Sequence, residues 1–127
     1  MASHPGSSIT LFGIANCDSV KRARAWFAAQ AGAAPVFHDF KKAGLPEAAL
    51  QAWVAAVGWE RVLNRKGTSW RALDEAARAE VVDAGAAVRA MQVQPSLVRR
   101  PVVVWPDGGI TVGFDANLFA QRLAEAG

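Results

Sequence analysis

The residue whose type most directly offers chemistry is Cys17, the only cysteine in the 127-residue chain. A lone thiol is either a small buried hydrophobic group or, as a thiolate, a nucleophile. It cannot form an intramolecular disulfide, because the chain has no second cysteine. A helix is predicted to begin just after Cys17, and the N–H groups and dipole of a helix N-terminus favour a thiolate. Residue type and position leave both roles open.

The neighbours of Cys17 act in opposite directions on its thiol. Asp18 follows directly, and its negative charge opposes a thiolate. Asp18 or Ser19 is also a candidate N-cap of the predicted helix. The basic residues further along alternate with the apolar face, which predicts a solvated surface for Lys21, Arg22 and Arg24. The local sequence alone therefore does not set the direction of the Cys17 pKa.

Two arginines elsewhere in the chain are candidate partners of the thiol. Arg65, in LNRKGTSW, is expected near a helix end, where a cation interacts with exposed carbonyls. Arg100, in VRRPVVV, precedes a predicted buried strand and has the ordinary role of a solvated strand end. The alternative is that Arg65 and Arg100 converge on Cys17, stabilise the thiolate and bind an anionic substrate. The Arg100–Pro101 bond is a candidate cis peptide that would present backbone groups to the thiol.

The first third of the chain must position Cys17, and its pattern predicts a β-α-β unit. ITLFGI, residues 9–14, and PVFHDF, residues 35–40, have the composition of strands. Between them lies a helix with one apolar face, made of Val20, Ala23, Phe27 and Ala31. Cys17 is thus expected where a strand turns into a helix, which is where α/β proteins place their sites.

Residues 45–97 predict a helical insertion. Apolar residues at helical spacing, with a proline at the first turn and a glycine just past the end, indicate a helix marked by Pro46, Leu50, Trp53, Val54, Val57 and Gly58. A short helical piece that ends in Arg65 and Lys66 follows, and then alanine-rich helices as far as residue 94.

The last part of the chain returns to strands. Residues 100–105 form a continuous apolar run, and the turn sequence PDGG joins them to ITVGF as a hairpin. A final helix follows, with Asp115 as its cap and Leu118, Phe119 and Leu123 on one side. The order of elements predicts an α/β fold with a four-stranded mixed sheet, of the thioredoxin-like kind with a helical insertion.

Composition sets limits on the function. A chain of 127 residues with 52% hydrophobic residues can bury one core but has little room for a second, so we expect one domain over residues 9–127, after a disordered lead-in at residues 1–8. The net charge of +3 is only weak evidence for nucleic-acid binding, so no direct nucleic-acid binding is expected. From the sequence we expect no signal peptide and no membrane span. It contains no zinc-site spacing or glycine-rich nucleotide motif, and one cysteine suits a reducing cytoplasm. We therefore expect no bound metal or cofactor.

Four stretches together resemble a known family. They are ITLFGIANCDSVKRARAWF, FHDFKKAGL, GWERVLNRKGTSWRALD and LVRRPVVV with the later VGF, and they resemble the arsenate reductase (ArsC)/Spx-like family, most closely its YffB-type branch. The resemblance implies a thioredoxin-like fold with a helical insertion, a nucleophilic Cys17, and catalytic arginines at Arg65 and Arg100. It also implies a cis Pro101 and a substrate site formed by Asn16, Arg65, Arg100 and Pro101.

Two departures from the family pattern narrow the expected activity. Phe114 stands near the place of a third arginine that arsenate reductases of this family carry, and Val20 stands where Spx members have a second cysteine. With no resolving cysteine, a mixed disulfide at Cys17 must be released by an external thiol. The resemblance therefore implies a glutathione-dependent monothiol reductase that acts on disulfides or small oxyanions. The alternatives are an Spx-like module that docks on RNA polymerase, and a weak arsenate reductase that works with glutathione and glutaredoxin.

Overall fold

A computed structural model describes residues 8–30, 32 and 34–126 as parts of two compact units. The first unit comprises the chain up to Lys42 and from Arg100 onwards, and the second is Ala43–Arg99. The lead-in predicted at residues 1–8 lies outside the described residues except for Ser8, and so does Ala31. The single domain over 9–127 with residues 45–97 inserted stays a prediction.

The first unit contains a four-stranded sheet. Its strands are β1 (Thr10–Gly13), β2 (Val36–Asp39), β3 (Val102–Val104) and β4 (Ile110–Val112), in the order β2-β1-β3-β4. β1 runs parallel to β2 and antiparallel to β3, and β3 forms an antiparallel hairpin with β4. The predicted mixed α/β sheet is thereby confirmed.

Three helices accompany this sheet. They are α1 (Asp18–Ala28), α2 (Phe40–Ala43) and α8 (Ala116–Ala126). The predicted second strand, residues 35–40, is one residue too long at each end: Pro35 precedes β2, and Phe40 already begins the short helix α2, where its side chain is buried. On α8 the predicted apolar side is only partly correct, since Phe119 is fully buried whereas Leu118 is exposed.

The core of the first unit fixes α1 against the sheet. Val20, Ala23 and Phe27 on α1 are buried in one cluster with residues of β1, β3 and α8. The rings of Phe27 and Phe119 lie 5.5 Å apart between centroids, and those of Trp105 and Phe119 lie 5.2 Å apart. Burying a side chain of this size contributes about 1.5–3 kcal/mol. The start of α1, and with it Cys17, is therefore held by packing rather than by helix propensity.

The second unit is helical. It contains α3 (Glu47–Val57), α4 (Trp59–Val62), α5 (Thr68–Ala72), α6 (Glu75–Ala79), α7 (Ala84–Val93) and a 3-10 turn at Pro95–Leu97. Helix α3 begins directly after Pro46 and ends at Gly58, whose φ of 93° is a conformation that only glycine adopts easily. Throughout the described part of the chain, every helix is too short or too polar to cross a bilayer.

The segment that carries Arg65 differs from its prediction as a helix end. Helix α4 stops at Val62, and Leu63 is extended because it forms a β-bridge with Val98. The Asn64 N–H donates to the Leu97 carbonyl at 2.8 Å, so the helical hydrogen-bond pattern cannot continue. Arg65 consequently lies in a turn.

Candidate active site

Cys17 occupies the N-cap position of α1, just after β1 ends. Its backbone is extended, with φ −131° and ψ 127°, while its carbonyl already accepts the Lys21 N–H at 2.9 Å. The thiol is free and partly exposed, and α1 has no side-chain capping hydrogen bond. The prediction that Asp18 or Ser19 is the N-cap is therefore wrong, because Asp18 is already the first residue of the helix.

The surroundings of the thiol favour its charged form. Burial raises the pKa of Cys17 and is the largest single influence on it. The backbone N–H of Val20, the side chain of Arg100 through a hydrogen bond and its charge, and the backbone N–H of Ser19 all lower the pKa. Together they outweigh burial, so the pKa of Cys17 lies below its ordinary value. The sequence left the direction of the Cys17 pKa open, and the structure shows that it is lowered, which favours the thiolate.

The sheet brings Arg100 to the thiol. β3 pairs antiparallel with β1, with Val102 opposite Phe12. If that register is extended by two residues, Arg100 lies beside the segment that leads from β1 to Cys17. The Arg100–Pro101 peptide is cis, as predicted, and the Pro101 carbonyl accepts the Gly113 N–H at 2.9 Å.

Two more cations, both on α1, contact residues within two positions of Cys17 in the chain. Lys21 Nζ lies 3.4 Å from Asn16 Oδ1, so it holds the exposed side chain of Asn16. Arg22 donates to the Ser19 hydroxyl at 3.4 Å, and its guanidinium carbon is 5.9 Å from the centroid of the Phe114 ring. The predicted exposure of these cations is confirmed, but the sequence did not indicate that they turn back towards the start of α1.

Phe114 belongs to the same region, and it stands near the place where arsenate reductases of the family carry a third arginine. Its ring packs edge-on against Phe119 at 5.2 Å between centroids. It is only partly buried, and the Arg22 guanidinium lies over it. The position that lacks an arginine is therefore apolar, with a cation from α1 above it.

Arg65 lies in the second unit and has its own partners there. Its Nη2 is 3.5 Å from Glu60 Oε2, and its guanidinium carbon is 5.5 Å from the Trp59 ring centroid. About half of the side chain is exposed, 46%. The structure thus brings together two of the three predicted catalytic residues, Cys17 and Arg100, while the role of Arg65 stays a prediction.

This arrangement is suited to the chemistry of a single thiolate. Cys17 is accessible, and it faces one arginine and the N-terminal N–H groups of α1. A thiolate in such a setting is a nucleophile that can attack an electrophilic sulfur. Within the described ranges, no three or more His, Cys, Asp or Glu side chains are grouped so that they could hold a metal ion.

Comparison with known proteins identifies the family. The model of the ArsC family matches residues 12–121 of the chain. A solved structure of a protein named YFFB is 40% identical, covers 91% of this chain and 99% of that chain, and has a TM-score of 0.84. An arsenate reductase (ArsC) related protein from Brucella melitensis is 43% identical, with coverages of 94% and 98% and a TM-score of 0.71. An uncharacterized protein from Haemophilus influenzae is 34% identical over 116 residues, 91% of this chain and 99% of that protein.

The chain belongs to the ArsC family. The resemblance to this family and to its YffB-type branch is thereby confirmed. The thioredoxin-like fold predicted from the sequence is the fold of its ArsC-family neighbours, and the mixed four-stranded sheet matches it. Family and site together are consistent with thiol-based reduction.

Proposed function

We propose that this protein is a glutathione-dependent monothiol reductase with Cys17 as its nucleophile. The observation that carries the proposal is the thiol at the N-cap of α1, whose pKa burial raises but the Val20 N–H, Arg100 and the Ser19 N–H together lower below its ordinary value. A lone cysteine with no such setting would be an inert core residue. The chain has no second cysteine, so the second half of the reaction needs a thiol from outside.

The reaction is written for a glutathionylated thiol as substrate. The Cys17 thiolate attacks the glutathione sulfur of the mixed disulfide, a new S–S bond forms between Cys17 and glutathione, and the substrate leaves as a thiolate that takes a proton from water. A second glutathione thiolate then attacks this disulfide, which releases oxidised glutathione and restores the Cys17 thiolate. The substrate gains two electrons and two glutathione molecules supply them, one of which entered as part of the substrate.

The site would bind glutathione through its charges. Arg100 is the cation that acts directly on the thiol, and Asn16 and Pro101 lie next to these two residues in the chain. Arginine binds carboxylates by paired hydrogen bonds, so Arg65 and Arg100 are assigned to the two carboxylates of glutathione or to a small oxyanion. We place the reaction in the cytoplasm, with glutaredoxin as a further partner where an oxyanion is the substrate.

The test is turnover of a glutathionylated peptide with glutathione, with formation of oxidised glutathione as the readout. The wild type is expected to turn over and to show a Cys17–glutathione adduct by mass spectrometry when glutathione is limiting. Cys17→Ser is expected to lose both. Arg122→Ala is the matched control, since it removes an arginine of the same unit that pairs with Asp107 at 3.6 Å. Turnover that survives in Cys17→Ser would contradict the proposal.

Two alternative functions, arsenate reduction and binding to RNA polymerase, are tested with the wild type and Cys17→Ser. Arsenate is kept as a candidate substrate because a relative 43% identical is named as arsenate reductase related, although Phe114 provides no third arginine. Formation of arsenite with glutathione and glutaredoxin, at a rate above that on the peptide, would replace the disulfide substrate by arsenate. Capture of RNA polymerase that is equally strong with Cys17→Ser, without turnover by the wild type, would replace the enzyme by a binding module.

A further inference from the structure

The end of β1 and the first turn of α1 approach each other more closely than a side chain would allow. Gly13, the last residue of β1, is buried, and a Cβ added to it would lie 2.6 Å from Val20 Cγ2 and 3.2 Å from Val20 Cγ1. Atoms in ordinary contact stay about 3.5–4.0 Å apart. The absence of a side chain at Gly13 is thus what gives Val20 its place.

Val20 cannot make room by turning its side chain. It is fully buried in the core of the first unit, and a β-branched residue in a helix has one strongly preferred χ1 rotamer. A methyl group at position 13 would therefore have to move the backbone of the first turn of α1 away from β1. That turn carries the N–H groups that stabilise the Cys17 thiolate.

We propose that Gly13 is a positioning residue for the reactive thiol: its lack of a side chain lets the first turn of α1 lie against the end of β1, with the Val20 N–H beside the Cys17 sulfur. The inference rests on the proposed function, since only a reacting thiol needs this placement. It gives Gly13 a role in the chemistry through a contact that does not itself touch the sulfur.

A methyl group at position 13 adds no charge near the thiol. Arg100, from the segment that enters β3, is the charged side chain that acts on Cys17 from another element. Asp18 and Lys21 belong to α1 itself. A change in thiol pKa on substitution of Gly13 thus reports the displacement of the first turn of α1.

The experiment compares the pH dependence of Cys17 alkylation by iodoacetamide in four proteins. These are the wild type, Gly13→Ala, Val20→Ala, and the double variant Gly13→Ala/Val20→Ala. The single Gly13→Ala change is expected to raise the Cys17 pKa by about one unit, the effect of losing one hydrogen bond to a charged group. The double variant is expected to return to the wild-type pKa, because Val20→Ala removes both methyl groups that would clash.

Two controls separate positioning from a general loss of stability. Val20→Ala alone is expected to lower the melting temperature and leave the thiol pKa unchanged, because it keeps the backbone N–H. Gly85→Ala adds the same methyl group in α7, where the nearest atom is a flexible arginine nitrogen at 3.4 Å, and is expected to leave the pKa unchanged. A folded Gly13→Ala protein with the wild-type pKa, or a double variant that keeps the raised pKa, would overturn the inference.

If Gly13→Ala does not fold, the amide of Val20 decides the question. In the wild type and in the double variant, the ¹⁵N chemical shift of the backbone amide at position 20 is expected to follow the titration of Cys17, and an amide that does not respond would overturn the inference. Glutathione turnover is measured separately. If the wild type shows no turnover but the variants show the expected pKa pattern, the proposed function alone is contradicted. If the wild type turns over but the Cys17 pKa is unchanged in Gly13→Ala, the role of Gly13 alone is contradicted.

Discussion

The helix that has Cys17 as its N-cap and the helices that have aspartates as N-caps use the N–H groups of their first turns in different ways. Asp83 at the start of α7 accepts the Ala86 N–H at 2.9 Å, and Asp74 at the start of α6 accepts the Ala77 N–H at 2.7 Å. At the start of α1 no carboxylate or hydroxyl side chain makes such a bond. The N–H groups of α1 stabilise the thiolate of Cys17 instead.

The difference shows where stability and reactivity compete. A capping aspartate satisfies donors that a helix otherwise leaves open, and it contributes about 1 kcal/mol over a residue that cannot cap. A neutral thiol is a weak acceptor and provides little of this. The start of α1 is thus less stable than it could be, and its donors remain directed at the group that reacts.

The largest expected effect comes from making α1 like α7. Cys17→Asp should abolish glutathione turnover and raise the free energy of unfolding by about 1 kcal/mol, because a carboxylate caps the helix and interacts with its dipole. An assay of glutathione turnover measures the loss of activity, and urea unfolding measures the gain in stability. Cys17→Ala is the control, which should lose turnover without the gain in stability. A less stable Cys17→Asp protein would show that the start of α1 is not limited by its cap.

The next effect concerns the cation at the thiol. Arg100→Ala should raise the pKa of Cys17, because it removes a hydrogen bond and a positive charge that both favour the thiolate. Alkylation below the pKa should slow about tenfold for each unit of pKa increase. Arg100→Lys should retain part of the effect, and Arg122→Ala should have none. An unchanged pH profile in Arg100→Ala would leave the backbone of α1 as the only source of the low pKa.

A smaller effect is expected at α7, which lacks a reactive group. Asp83→Ala should lower the free energy of unfolding by about 1 kcal/mol, while Asp83→Asn should lower it by much less because asparagine also caps. Neither change should alter the pH profile of Cys17 alkylation. A shift of that profile would mean that the two helix starts are coupled.

The smallest effect is a dependence of stability on pH that comes from Cys17 alone. Because the pKa of Cys17 is lowered in the folded protein, the deprotonated thiol favours the folded state. This contribution is complete above the unfolded pKa of about 8.5 and is lost as the pH falls through the folded pKa. The free energy of unfolding of the wild type, relative to Cys17→Ser, should therefore rise with pH across that window. The partial exposure of the thiol keeps the rise small.

Much of the fold followed from local patterns. The hairpin of β3 and β4 was predicted from an apolar run and the PDGG turn, and α3 from helical spacing between Pro46 and Gly58. One error occurred where a distant partner overrides a local pattern. Val98 pairs with Leu63 and ends α4 early, so the residues predicted at a helix end lie in a turn.

The candidate site divides in the same way. Sequence alone showed that one thiol lies at a strand-to-helix turn, that no second cysteine can resolve it, and that an arginine precedes a proline before a strand. Those are statements about residue types and neighbours in the chain, which a sequence states directly. The tertiary structure decided that the antiparallel register brings Arg100 to Cys17, and that Gly13 lets the first turn of α1 pack on β1. The direction of the thiol pKa depends on the burial of Cys17 and on its distance to Arg100 as well as on the nearby N–H groups of α1, and only folding sets that burial and that distance.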